Sequence, residues 1–141
     1  MYTVVCRLCF AAAHRVAGHE GQCRFLHGHN YLLFVYVEAE ALDPVGRVID
    51  FSDIKTRLGG WIDSNWDHTT IIWEKDIELL DAIAPFCRGG KPFLLPYNPT
   101  AENLARYVLE VVCPQQFEGT GITVTRVRIW ETENCSAENK L

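Results

Sequence analysis

The chain has 141 residues, of which 48% are hydrophobic, and a formal net charge of −5. This length and composition predict one folded domain spanning residues 1–141 and exclude a low-complexity chain. The acidic balance argues against general affinity for nucleic acids or membrane surfaces. The N-terminal MYTVVCRLCF lacks the basic start and apolar core of a signal peptide, and no apolar run approaches the roughly 18 residues of a membrane span. We therefore expect a cytoplasmic protein.

Three strands are predicted along the chain. Residues 2–13 and 31–40 are β-branched and apolar with a period near two, and a loop over 18–24 precedes the second of them. Residues 122–131, ITVTRVRIWE, alternate in the same way. The strands flank helical segments, so the pattern indicates an α+β fold with an antiparallel sheet.

Two main helices are predicted between the second and third strands. Ser52 can cap the first, whose apolar positions recur at helical spacing (Ile54, Leu58, Trp61 and Ile62). Thr100 can cap the second, which carries an apolar stripe (Leu104, Tyr107, Val108, Val111 and Val112). A shorter helix is predicted within residues 76–86, and Pro85 is expected to stop it.

The six cysteines are expected to be reduced thiols, as is usual in the cytosol. Cys6 and Cys9 form a C-x-x-C, but on a strand this odd spacing places the two sulfurs on opposite faces. No second C-x-x-C completes a four-cysteine zinc site. We interpret Cys6, Cys9, Cys87 and Cys113 as small buried hydrophobic residues.

The spacing of the histidines points to a metal site. His27 and His29 are two positions apart at the entrance to the second strand, so an extended backbone directs both imidazoles to one face, and Gly28 leaves their approach uncrowded. Zinc in a catalytic site takes about three protein ligands and keeps one open position. The third donor is His14, at the end of the first strand, or the loop residue His19; spacing alone does not decide between them.

Six motifs in order resemble one family: AAHR, C-x-x-x-HGH, DFSDIK, DH, NPTAENLA and a terminal ET. They are similar to the 6-pyruvoyltetrahydropterin synthase superfamily, from the first strand to Glu131. The spacing of Cys23 to His27 resembles the 6-carboxytetrahydropterin synthase branch, which acts early in the queuosine and deazapurine pathway. The resemblance implies conversion of 7,8-dihydroneopterin triphosphate to 6-carboxy-5,6,7,8-tetrahydropterin, acetaldehyde and triphosphate. The rivals are a synthase that forms the pyruvoyl product and a non-catalytic pterin- or zinc-binding member of the fold.

The resemblance also implies a role for each matching residue. Zinc ligands fall on His14, His27 and His29, catalytic residues on Cys23, Asp67 and His68, and pterin-binding residues on Glu131 and Thr100. These types suit the chemistry: zinc can acidify substrate hydroxyls, a thiolate stabilised by a nearby cation serves as a base, and a histidine oriented by a carboxylate moves protons at neutral pH. A carboxylate can accept two hydrogen bonds from the pterin amino group and ring N–H.

The implied architecture is the tunnelling fold, a four-stranded antiparallel sheet with helices on one face. The sequence shows three of its strands, and the fourth is expected within 45–51 or 92–97. In relatives such sheets close into an oligomeric β-barrel, a homohexamer built as a dimer of trimers with active sites between subunits. Two segments depart from the family pattern, residues 72–97 and the tail 134–141. The first is expected to cover the site, to contact phosphates through Arg88 and Lys91, or to extend the surface.

Overall fold

The computed structural model describes all residues from Met1 to Leu141, and its centre is one six-stranded sheet. The strands are β1 Tyr2–His14, β2 His27–Ala39, β3 Thr69–Trp73, β4 Phe93–Leu95, β5 Thr123–Trp130 and β6 Ser136–Lys140. Their order across the sheet is β4-β3-β1-β2-β5-β6. Strands β1, β2, β5 and β6 are antiparallel, whereas β3 runs parallel to β1 and β4 runs parallel to β3.

The expected four-stranded antiparallel sheet is therefore wrong in strand number and in direction. An antiparallel set of four exists, but its fourth strand is β6, which lies in the tail, and not in 45–51 or 92–97. The segment 92–97 instead contains β4, which pairs only with β3. Strand β3 escaped prediction because four of its five residues are buried, so no period-two alternation marks it.

The helices follow the predicted order. They are α1 Phe51–Ile54, α2 Gly60–Asn65, α3 Ile77–Ile83, α4 Ala101–Tyr107 and α5 Cys113–Gln116. Helices α1 and α2 are joined by a π-helical segment, Lys55–Gly59, and α4 and α5 by another, Val108–Val112. None of the helices is both long and apolar enough to cross a bilayer.

One predicted cap is confirmed and one is wrong. The Thr100 side chain accepts a hydrogen bond from the Asn103 N–H, so Thr100 caps α4. The first helix is capped by Asp50, whose carboxylate accepts the Ser52 N–H, and Ser52 itself lies inside the first turn. Both Asp and Ser are common caps, and the choice depends on the backbone turn, which the pattern does not reveal.

The helices cover one face of the sheet and form the core with it. On β2 the odd-numbered residues from Tyr31 to Val37 are buried, and they alternate with half-buried ones. Tyr31 stacks on Phe10 of β1 with ring centroids 4.8 Å apart. Because side chains on a strand alternate, His27 and His29 lie on the same face of the sheet as Tyr31.

The cysteine prediction holds in part. Cys6 is buried and Cys9 is exposed, so the two sulfurs of the C-x-x-C lie on opposite faces as expected. Cys113 is buried, whereas Cys87 is only half-buried. The interpretation as a buried hydrophobic residue is therefore wrong for Cys9.

Candidate metal centre and active site

Three histidines meet where β1 ends and β2 begins. The antiparallel register places His14 opposite His27 and Ala12 opposite His29. Strand β2 already starts at His27, so the backbone is extended at His27 and His29, as the prediction for the two imidazoles required. The Nε2 atoms of His14 and His27 are 3.1 Å apart. A Cβ atom on Gly28 would lie 3.2 Å from the Ala12 carbonyl oxygen, so the close pairing of the two strands depends on this glycine.

A fourth donor comes from the last residue before the β5–β6 turn. The Oε1 atom of Glu131 lies 3.1 Å from His14 Nε2 and 3.2 Å from His29 Nε2. The four donor atoms of His14, His27, His29 and Glu131 all lie within 4.8 Å of one another. These residues could hold a metal ion. A fourth protein donor is not predictable from the sequence, because nothing local shows that β5 lies beside β2.

The alternative third donor, His19, is not part of this group. Its Nδ1 atom accepts a hydrogen bond from the Gly21 N–H at 2.8 Å, which keeps the ring within its own loop. The structure thus brings together His14, His27 and His29, and the resemblance had selected the same three.

The hydrogen bonds of the rings fit a metal centre. The Nδ1 of His14 lies 2.7 Å from the Pro99 carbonyl oxygen, and the Nδ1 of His27 lies 2.6 Å from that of Phe25. A carbonyl oxygen only accepts, so each Nδ1 carries the proton, and in the neutral ring Nε2 keeps its lone pair. Both lone pairs face the cluster, as they do in histidines that bind a metal. The Nε2 of His29 is buried and has no hydrogen-bond partner. The residues present therefore fit the metal that the family implies.

The pKa shifts of His29 and Glu131 favour the protonation states in which these residues can bind a metal ion. Burial lowers the pKa of His29, because the charged ring loses its hydration. The pKa of Glu131 is also lowered, chiefly by the His14 side chain, whose Nε2 lies 3.1 Å from Oε1, and against the opposing effect of burial. An ionised carboxylate and a neutral imidazole are the forms that bind metal ions.

One buried group beside the cluster has no partner. The Tyr31 ring packs edge-on against His29, with centroids 5.4 Å apart, and its hydroxyl is fully buried without a hydrogen bond. Burial and the charge of Glu131 raise the pKa of this phenol, so it stays protonated.

Asp67 and His68 form a fixed pair at the start of β3. Asp67 accepts the Ala11 N–H on Oδ1 at 2.8 Å, and its Oδ2 lies 2.8 Å from His68 Nδ1. The His68 N–H donates to the Ala11 carbonyl oxygen at 2.7 Å. The Ala11 N–H is the main cause of the lowered pKa of Asp67. His68 has a left-handed backbone with φ of 57°, which costs energy in any residue other than glycine and is typical of functional positions.

A groove of about 420 Å³ joins the two regions. Small residues of β1 and β2 line it together with His29, His68, Phe86 and Cys87. The last two belong to the segment 72–97, so part of that segment borders the groove. Arg88, however, is engaged elsewhere, because its guanidinium donates to the carbonyl oxygens of Asp63 and Ser64 at the end of α2.

Cys23 stands apart from the histidine cluster. It is half-buried in a 3₁₀ turn, Gln22–Arg24, and its carbonyl oxygen accepts the Val16 N–H at 2.8 Å. Neither the metal-binding group nor the groove includes it. Asp67 and His68 are thus paired with each other, whereas Cys23 lies on a separate loop.

Thr100 acts on the site through its neighbour. Its side chain caps α4, and the preceding residue, Pro99, supplies the carbonyl oxygen that holds His14. The cap thus stabilises the turn that orients a histidine. The sequence showed the cap but not this contact.

Comparisons with known proteins agree with the motifs. A sequence profile for 6-pyruvoyl tetrahydropterin synthase matches residues 3–140. A Rickettsia felis protein named 6-carboxy-5,6,7,8-tetrahydropterin synthase is 40% identical over 132 residues, which cover 94% of this chain and 95% of that protein. A Haemophilus influenzae protein of the same name is 29% identical over 143 residues, covering 98% of both chains.

Solved structures show the same fold. The 6-pyruvoyl tetrahydropterin synthase of Caenorhabditis elegans superposes with a TM-score of 0.71 at 25% identity, covering 99% of this chain and 95% of the other. An uncharacterised protein from Wolinella succinogenes gives a TM-score of 0.83 at 24% identity and covers 99% and 97%. The profile match over nearly the whole chain and the Rickettsia relative confirm what the motifs indicated: the chain belongs to the 6-pyruvoyl tetrahydropterin synthase family.

Proposed function

We propose that the protein is a zinc-dependent lyase that converts 7,8-dihydroneopterin triphosphate and water to 6-carboxy-5,6,7,8-tetrahydropterin, acetaldehyde and triphosphate. The observation that carries the proposal is the convergence of three histidine Nε2 atoms and one carboxylate within 4.8 Å, beside a groove that also contains His68. The names of the Rickettsia and Haemophilus relatives support the carboxy product.

His14, His27 and His29 would hold the zinc, with the rings of His14 and His27 fixed by backbone carbonyl groups. When bound, zinc supplies Lewis acidity toward the hydroxyl groups of the substrate side chain. Glu131, at the end of β5, would accept hydrogen bonds from the pterin amino group and ring N–H.

Proton transfer falls to the remaining residues. Asp67 holds Nδ1 of His68 at 2.8 Å, which leaves Nε2 free to take or give a proton at the groove. Cys23 would serve as the thiolate base. Because Cys23 lies on a different loop from this pair within one chain, we propose that the complete site forms between subunits of a homohexamer.

The decisive assay is incubation with 7,8-dihydroneopterin triphosphate. Release of acetaldehyde and appearance of the carboxy product support the proposal. Loss of triphosphate without acetaldehyde would instead indicate a pyruvoyl-forming synthase, the activity named for the Caenorhabditis structure. Binding of the pterin without turnover would leave only the non-catalytic alternative.

The oligomer has its own test. A lone subunit leaves the outer strands β4 and β6 without partners on one side, and closing sheets into a barrel removes such edges. Light scattering is expected to give the mass of a hexamer, with trimers on dissociation. A stable monomer near 16.0 kDa at micromolar concentration would contradict the assembly.

A further inference from the structure

The position of Glu131 raises a problem of charge. Its Oε1 atom lies 3.1 Å from His14 Nε2 and 3.2 Å from His29 Nε2. In neutral His14, whose Nδ1–H is held by the Pro99 carbonyl group, Nε2 is an acceptor, and a carboxylate oxygen is one too. Acceptors at such distances repel one another unless a cation lies between them. That cation is either a proton on His14 or a metal ion.

The spacing of the donors fits a metal ion. Zinc binds nitrogen and oxygen at about 2.0–2.1 Å, so two donors of a tetrahedral site are separated by about 3.3–3.4 Å. The distances from His14 Nε2 to His27 Nε2, from His14 to Glu131 and from His29 to Glu131 are 3.1, 3.1 and 3.2 Å. Three of the six donor pairs, including both pairs with the carboxylate, therefore stand close to the separations of a tetrahedral shell. All four donors lie within 4.8 Å of one another, so the wider pairs close by about an ångström when one ion binds all of them.

The backbone directs Glu131 to this place. Trp130 pairs with Leu32 of β2, and the Glu131 N–H donates to the Cys135 carbonyl oxygen at 3.0 Å, closing the β5–β6 turn. Glu131 has the same parity along β5 as the buried Ile129 and thus continues the inner face of the sheet. The carboxylate does not reach the histidines from a mobile loop.

We propose that Glu131 is the fourth protein ligand of the metal in the substrate-free protein. Three histidines and one carboxylate would then hold the metal before substrate binds. This rests on the proposed function and deepens it: Glu131 would bind the metal in the substrate-free protein and would accept the pterin N–H groups in the substrate complex.

The test uses metal alone. Zinc affinity of metal-free wild type and of Glu131→Gln is measured by competition with a chromophoric chelator, with Glu133→Gln as the matched control. Glu133 is exposed and lies two residues further along, so the control loses the same charge outside the cluster. We expect Glu131→Gln to weaken zinc binding by at least about 10–100-fold, the range known for loss of outer-shell partners, and the control to bind as wild type does.

Cobalt substitution gives a second readout. A four-coordinate cobalt(II) centre absorbs visible light more strongly than a five- or six-coordinate one. The wild-type protein is expected to show the intense band, and Glu131→Ala, which admits water, a shifted or weaker one. Thermal unfolding of the metal-free variants checks that they are folded.

Wild-type zinc affinity together with an unchanged cobalt spectrum in the Glu131 variants would overturn the proposal. A loss of affinity equal to that of Glu133→Gln would also overturn it, since general charge would then explain the effect. Neither measurement includes substrate. A failure here therefore leaves the proposed reaction standing, and absence of acetaldehyde release leaves the ligand assignment standing.

Discussion

Replacement of Asp67 by asparagine tests the pair at the groove with little change in shape. Asparagine keeps one oxygen for the Ala11 N–H, now bonded at 2.8 Å. Its other atom becomes an NH₂ donor facing His68 Nδ1, also at 2.8 Å, so the ring must turn that nitrogen into an acceptor. The proton then moves to Nε2, and the histidine can no longer accept a proton at the groove.

The solvent exposure of the two side chains determines how strongly Asp67→Asn should affect stability and activity. The side chains of His68 and Asp67 are 77% and 30% exposed, so their pairing contributes only about 0.2–1 kcal/mol to the free energy of unfolding. For activity, the same change of tautomer in serine-hydrolase triads lowers kcat about 10⁴-fold. Water can partly rescue a ring as exposed as that of His68, so we expect a loss of about 10²–10³-fold, or about 2.7–4.1 kcal/mol in transition-state stabilisation.

The assay is kcat/KM for acetaldehyde release at equal zinc loading, with the melting temperature measured alongside. Asp81→Asn, at an exposed position on α3, is the matched control and should behave as wild type. Activity of Asp67→Asn within about threefold of wild type would refute the reasoning and would assign the pair a purely structural role at the edge of β1.

Other substitutions probe separate features. Cys23→Ala should lower turnover by about 10²–10⁴-fold with zinc content unchanged. Near-wild-type turnover would contradict the assignment of Cys23 as the base. Asp76 is buried and accepts two hydrogen bonds from Arg15, the main cause of its lowered pKa. It therefore stabilises the fold above its usual pKa of 3.8, and that contribution is lost as pH falls through the lower folded-state value. Asp76→Asn should reduce the free energy of unfolding at pH 7 by about 2 kcal/mol, the size expected for lost hydrogen bonds to a charged group, and flatten its fall in acid; an unchanged acid profile in urea titrations would contradict this. Tyr31→Phe keeps the stacked ring and removes a buried hydroxyl without a partner, so the metal-free protein should gain about 1 kcal/mol; a loss instead would show that the hydroxyl is hydrogen-bonded in solution.

Local patterns in the sequence predicted the elements whose one face is buried. Buried and exposed residues alternate along strands β1, β2 and β5, and the apolar residues of α4 recur at helical spacing. The periodicity of the sequence therefore shows which face of each element is buried. Strand β3 is buried almost throughout and β6 is a polar five-residue edge, so neither carries the period-two signal. Their places are decided by pairing with neighbours distant in sequence.

The candidate site also contains residues that local sequence predicts and residues that it does not. The H-x-H spacing predicted that His27 and His29 share a face, because that follows from strand geometry alone. The selection of His14 over His19 needed the family resemblance. The approach of Glu131 and the carbonyl group of Pro99 to His14 could not be predicted, since each depends on contacts between segments far apart in the chain.

Gly28 offers no ligand to a metal, yet it helps to hold the metal-binding histidines together. A methyl group there would press on the Ala12 carbonyl oxygen at 3.2 Å, and the two strands would separate by a few tenths of an ångström. That separation carries His14 away from His27 and His29. Functional metal sites hold their bond lengths to within about 0.2 Å, so even this small shift is expected to weaken metal binding. The missing side chain in the middle of the motif thus keeps the three histidines close enough to share one ion.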